Sequence, residues 1–145
     1  MSREPQIAVT VVRRFDASPE RVFDAWLDPA TVGLWLFATK TGEVVRVEVD
    51  PRVGGSFVIV DRRDGEDVAH TGAYLEIDRP RRLVFDFWVD KLPDHPSRVS
   101  VDIVPLPAGC ELTLTQEFSA EMAEYKERSR VGWGKLLDAL AATLA

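Results

Sequence analysis

The last stretch of the chain, WGKLLDALAATL at residues 133–144, decides the fold because it is amphipathic with helical spacing. Ser119 is a candidate N-cap upstream, so this helix is predicted to run from Ala120 to about Leu144. At 1.5 Å per residue it spans roughly 37 Å, enough to cover one face of a whole sheet. Its large apolar residues share one stripe: Trp133, Leu136, Leu137, Leu140 and Leu144.

The segments before this helix are predicted to be strands, because apolar and β-branched residues alternate there with polar ones. Turns such as Asp64-Gly65 join most of them, which predicts hairpins and an antiparallel sheet. Ser18-Pro19 and Asp28-Pro29 are helix-start signals, so two short helices are predicted after the first strand, the second reaching about Phe37. The strand segments are residues 7–15, 43–49, 56–61, 68–77, 83–89, 99–103 and 112–118.

This order of elements predicts an α+β helix-grip fold. A curved antiparallel sheet of about seven strands would wrap around the long C-terminal helix. No linker or repeat interrupts the chain, so one domain is predicted over residues 1–145. A bent sheet around one helix usually leaves space between them, and a cavity is expected there.

Composition excludes several classes of protein. The chain has 145 residues and a net charge of −6, which suits a globular domain and argues against nucleic-acid binding. Its one cysteine excludes an intramolecular disulfide, and no apolar run has the length of a membrane span. Residues 1–6 lack the pattern of a secretory signal, so a cytoplasmic protein is expected. His70 and His95 lack metal-ligand spacing, and neither metal nor cofactor is expected.

Several motifs, in order along nearly the whole chain, carry a resemblance to a known family. With them the chain resembles the START-like, or SRPBCC, superfamily, which has the helix-grip fold of the birch pollen allergen. Within it the chain is similar to the branch of activator of heat-shock-protein-90 ATPase homologues. The motifs are SPERVFDAW at 18–26, Asp28-Pro29 with Trp35, DPRVGG at 50–55, GAYLEI at 72–77, PRRLVF at 80–85 and Gly132-Trp133.

The resemblance implies a cavity and the binding of a small molecule or a partner. It implies no single reaction, because the superfamily includes cyclases, hydrolases, lipid carriers and co-chaperone modules. The chain departs from the branch at Leu36, which follows Trp35 where a second aromatic residue is common. The resemblance therefore assigns no ligand contact at the second helix.

Large apolar side chains at inward positions are the candidate walls of the cavity. Aromatic residues also dominate ordinary cores, so some of them are expected to fill the core and some to line the cavity. Gly132 and Gly134 flank Trp133 inside the helix at a cost of about 1 kcal/mol each, which indicates a close approach of the sheet or of a ligand. The predicted ligand-binding residues are Trp35, Phe57, Phe85, Phe87, Val101, Trp133 and Leu137.

His70 and Tyr74 are the candidate catalytic residues, because they share one face of the fourth strand. If that face points into the cavity, His70 is a polar anchor or a general base. If Leu75 and Ile77 of the other face point inward, His70 lies on the surface. We favour the surface position.

Four other features are predicted to lie outside the cavity. Cys110 has no partner base nearby in the sequence and is predicted to be inert. His95 is predicted to be solvated in a loop, and Trp88 to face outward as a contact surface. A charged hairpin tip is predicted to be solvated, and its acidic residues are Asp61, Asp64, Glu66 and Asp67.

Three hypotheses of function follow. The first is a domain that binds a hydrophobic or amphipathic small molecule between the sheet and the C-terminal helix. The second is an enzyme of the cyclase, dehydratase or hydrolase type that uses the same cavity. The third is a co-chaperone-like interaction module with a contact patch around Trp88. The sequence leaves the question of homodimerisation open, because no motif supports it.

Overall fold

The computed structural model describes residues 6–37, 42–90 and 96–145, and it confirms the predicted α+β helix-grip fold. A 3₁₀ helix, Ala120–Tyr125, precedes the last helix. The other elements are β1 (Gln6–Phe15), α1 (Pro19–Asp24), α2 (Pro29–Val32), β2 (Glu43–Val49), β3 (Ser56–Arg63), β4 (Glu66–Asp78), β5 (Arg82–Val89), β6 (Ser97–Pro105), β7 (Cys110–Ser119) and α3 (Lys126–Leu144).

The seven strands form one curved antiparallel sheet in the order β1-β7-β6-β5-β4-β3-β2. Burial alternates strictly along β7, so every second side chain points to the concave side. Helix α3 buries Trp133, Leu137 and Leu140 on its apolar stripe. The concave side of the sheet and this stripe together enclose the core.

The two short helices begin where the sequence predicts. The Ser18 side chain accepts a hydrogen bond from the Arg21 backbone N–H (3.2 Å), and Asp28 accepts one from that of Ala30 (3.1 Å). Helix α2 is shorter than predicted, because it ends at Val32 and turns follow. Phe37 closes these turns with a φ of 57°, a conformation that is rare for a bulky residue.

The C-terminal helix is in two parts rather than one continuous helix from Ala120. Met122 has non-helical angles (φ −98°, ψ 16°), and regular α-helix begins only at Lys126. The 19 residues of α3 then span roughly 28 Å. This length still carries the helix across the concave side of the sheet.

Two predicted turns have the backbone that their residues favour. Asp64 and Gly65 both have positive φ, 51° and 78°, as expected for the tight turn of the β3–β4 hairpin. Gly54 has a φ of 86° in the turn after β2, a backbone conformation that glycine adopts without steric cost. Neither turn adds residues to the concave side.

Candidate functional site

A cavity of about 830 Å³ opens between α3 and the concave side of the sheet. This volume lies within the range of small-molecule sites. Its walls are mostly apolar and come from Leu34, Phe37, Phe87, Trp133, Leu136 and Ala139. Gly132, which has no side chain, also lines the cavity. Its polar lining residues are Arg63, His70, Gln116, Ser129 and Lys135.

Phe87 and Trp133 of the predicted ligand-binding set line this cavity. The other five lie deeper, in the closed core, and do not line it. Each of the five is at most 2% exposed: Trp35, Phe57, Phe85, Val101 and Leu137. Two of them support the cavity walls from behind: Phe57 packs against Phe37 at 6.4 Å and Phe85 against Phe87 at 6.3 Å between ring centroids.

Sequence reasoning missed most of the helical wall. Ser129, Gly132, Trp133 and Leu136 repeat at i, i+3, i+4 and i+7, so they form a cavity-lining stripe that shares Trp133 with the buried stripe. The signal that could have found this stripe was Gly132, a costly helix residue at a position that faces the sheet. A β-carbon added at Gly132 would meet no atom within 4 Å, whereas one at Gly134 would lie 2.9 Å from Nη2 of Arg13.

Trp133 is held in a fixed orientation by a buried hydrogen bond. Its indole Nε1 donates to Oε1 of Gln116 at 2.8 Å. The ring also packs edge-on against Phe87 (6.2 Å) and Phe37 (5.8 Å) between centroids. Gln116 is an inward polar residue of β7 among apolar neighbours, and this hydrogen bond explains its burial.

The prediction that His70 lies on the surface is wrong. Its side chain points inward, lines the cavity and is only 6% exposed. The strand shifts register between Tyr74 and Glu76, so Leu75 is exposed while Ile77 packs on the core. Leu75 is the residue at this bulge, so Leu75 and Ile77 do not share one face of the strand.

The His70 imidazole stacks on the Phe37 ring, 4.1 Å between centroids with 3° between the planes. Burial, and next the nearby Arg63 charge, lower the pKa of His70 to about 4. The ring is therefore neutral at pH 7. Among the residues described, none gives its buried Nδ1 a hydrogen bond.

Tyr74 points inward like His70 but does not line the cavity. Its ring packs against Phe57 at 5.5 Å, and burial raises the pKa of its hydroxyl well above the usual value. The two candidate catalytic residues therefore share a strand face but not the cavity.

The prediction of a solvated tip is wrong for Asp61, which is fully buried. The turn itself falls at Asp64-Gly65, so Asp61 lies inside β3, paired with Val68. Its carboxylate accepts a hydrogen bond from Nε of Arg63 at 2.6 Å, and Nη2 of Arg63 donates to the Phe37 carbonyl at 3.4 Å. This contact ties the hairpin to the turn that places Phe37.

The remaining candidates lie away from the cavity. Cys110 is buried, and burial raises the pKa of its thiol, which opposes thiolate formation. Trp88 is half-buried rather than exposed. His95 lies outside the described residues. Within the described ranges there is no cluster of three metal-ligating side chains, and no helix has the length and hydropathy to span a membrane.

Comparison with solved structures finds the same fold in bacterial proteins. A crystal structure from Chromobacterium violaceum is 31% identical, with a TM-score of 0.84 over 93% of this chain and 94% of that one. A solution structure of an AHSA1-like protein from Aeromonas hydrophila is 24% identical, with a TM-score of 0.79 over 95% and 92% of the two chains. No curated protein matches the sequence.

A family model of the activator of Hsp90 ATPase homolog 1-like proteins matches residues 16–145. This range begins after β1 and includes both short helices, the other six strands and α3. The chain belongs to the activator of Hsp90 ATPase homolog 1-like family.

Proposed function

We propose that this protein binds an amphipathic small molecule in the cavity between α3 and the sheet. The observation that carries the proposal is the cavity itself, whose volume and mostly apolar walls with a few polar groups are typical of ligand sites. The fixed orientation of Trp133 supports it, because a preorganised aromatic wall reduces the entropy that binding costs. The ligand body would contact Phe87, Trp133 and Leu136.

The two other hypotheses receive less support. The enzyme hypothesis named His70 and Tyr74 as the pair of polar groups that converge in the cavity, and Tyr74 does not reach the cavity that His70 lines. A co-chaperone-like module would need an exposed apolar patch around Trp88, which is half-buried. A cytoplasmic location and a single domain over residues 1–145 remain predictions.

Filling the cavity from α3 is expected to abolish most of the binding. In the Gly132→Trp variant the new side chain projects into open space, so we expect about tenfold weaker binding of the uncharged fluorophore anilinonaphthalene without loss of thermal stability. Fluorescence titration measures the affinity, and a thermal melt checks the fold.

The matched control is Val131→Trp, since Val131 is exposed on the same helix and does not line the cavity. It should bind the fluorophore as the wild type does. If both variants bind like the wild type, the fluorophore does not occupy this cavity and the proposal loses its basis. Native mass spectrometry of the purified protein would then identify any molecule that it retains.

A further inference from the structure

The charges that line the cavity are all of one sign. Arg63 and Lys135 are the charged residues among its lining, and within the described ranges no carboxylate lines it. The whole chain has 24 acidic and 18 basic residues, so an all-cationic lining is opposite to the overall balance. The two cations come from opposite walls, Arg63 from β3 and Lys135 from α3.

Two of the three guanidinium nitrogens of Arg63 have hydrogen-bond partners among the described residues. Nε donates to Asp61 and Nη2 to the Phe37 carbonyl. Within the part of the chain that the structure describes, Nη1 makes no hydrogen bond. A guanidinium anchored from behind presents its remaining N–H groups in a fixed direction, which suits an oxygen anion. Because Asp61 offsets the charge of Arg63, the excess positive charge comes from Lys135.

Lys135 is exposed and, among the described residues, has no ion pair. The neighbouring cationic residues do form ion pairs, Arg130 with Glu127 and Arg13 with Asp138. A long, flexible ammonium side chain at the edge of an apolar cavity can reach the head group of a bound molecule.

We propose that the natural ligand is an amphipathic organic anion, whose carboxylate or similar acidic group lies between Arg63 and Lys135 while its apolar body lies against Trp133 and Phe87. This inference rests on the proposed function and adds the charge of the ligand to it. The neutral His70 beside Phe37 neither repels nor attracts the head group at pH 7. The apolar residues supply most of the affinity, and the two cations determine which end of the ligand faces the opening.

The test uses two fluorophores that differ by one charged group, anilinonaphthalene sulfonate and uncharged anilinonaphthalene. The wild type should bind the sulfonate more tightly. Lys135→Gln should weaken sulfonate binding roughly fivefold and anilinonaphthalene binding clearly less, since only the anion loses a charge partner. Lys126→Gln removes the same charge from the same helix outside the cavity and should change neither affinity.

Competition by laurate and dodecanol extends the test to molecules of another shape. Laurate should displace the sulfonate fluorophore from the wild type at lower concentration than dodecanol, and this difference should shrink in Lys135→Gln. Equal binding of both fluorophores to the wild type, or equal loss of both in Lys135→Gln, overturns the charge inference and leaves the binding function intact. If neither fluorophore binds, the proposed function itself fails.

Discussion

Acidification from about pH 7 to about pH 4.5 is expected to destabilise the folded protein by roughly 2.5 kcal/mol through His70 alone. The unfolded chain takes up a proton at this residue near its ordinary pKa of 6.5, whereas the folded protein takes it up only near a pKa of about 4. Between these values the unfolded state binds more protons, so the free energy of unfolding falls as the pH falls. Well above pH 6.5 the contribution of His70 is constant, because the residue is neutral in both states.

The direction of this effect follows from the surroundings of His70. Burial opposes its charged form, and Arg63 opposes it further. A hydrogen bond with the Ile59 backbone and the charges of Asp61 and Asp90 favour the charged form, but they are weaker than burial. Protonation therefore places an imidazolium charge beside Phe37 in a site that solvates it poorly.

The measurement compares wild type with His70→Phe by urea unfolding at both pH values. The variant keeps an aromatic ring against Phe37 and loses the titrating group, so its stability should fall by roughly 2.5 kcal/mol less on acidification. Parallel losses in the two proteins would show that His70 does not carry the effect. An NMR titration of the wild type gives the pKa directly, with His95→Gln to assign the second histidine signal.

Most of the fold could be predicted because local signals and periodicity determine it. The caps at Ser18, Asp28 and Ser119 act within one helical turn, and all three are present. The parts of the structure that differ from the prediction depend on backbone geometry, which a periodic sequence pattern does not encode. The positive φ of Phe37 and the register shift at Tyr74 are examples, and each changes which side chains reach the cavity.

The cavity was harder to predict than the sheet because alternation separates inside from outside but gives no depth. Phe85 and Phe87 have the same parity on β5, yet Phe85 is in the closed core and Phe87 lines the cavity. Asp61 is the reverse case. Its charge predicts a solvated side chain, but its position inside β3 buries it against Arg63. Such outcomes depend on tertiary pairing, which overrides local propensity.

The Gly72→Ala substitution is expected to destabilise the protein by about 3 kcal/mol, because the concave side has no room for a methyl group there. A β-carbon at Gly72 would lie 2.3 Å from Cε2 of Phe57 and 2.5 Å from the Asp86 backbone oxygen. Three other rings surround the Phe57 ring, with centroids at 5.5 Å for Tyr74, 5.4 Å for Phe85 and 6.4 Å for Phe37. The new methyl group must therefore displace the ring or separate β4 from β5.

Gly132→Ala is the matched comparison, since it makes the same chemical change where no atom lies within 4 Å. It should stabilise the protein by about 1 kcal/mol, because alanine favours the helix over glycine. Urea unfolding of the two variants should thus give changes of opposite sign. A neutral Gly72→Ala would mean that Phe57 can move freely. Because Phe57 packs behind Phe37, such freedom would imply that the cavity wall is adaptable rather than preformed.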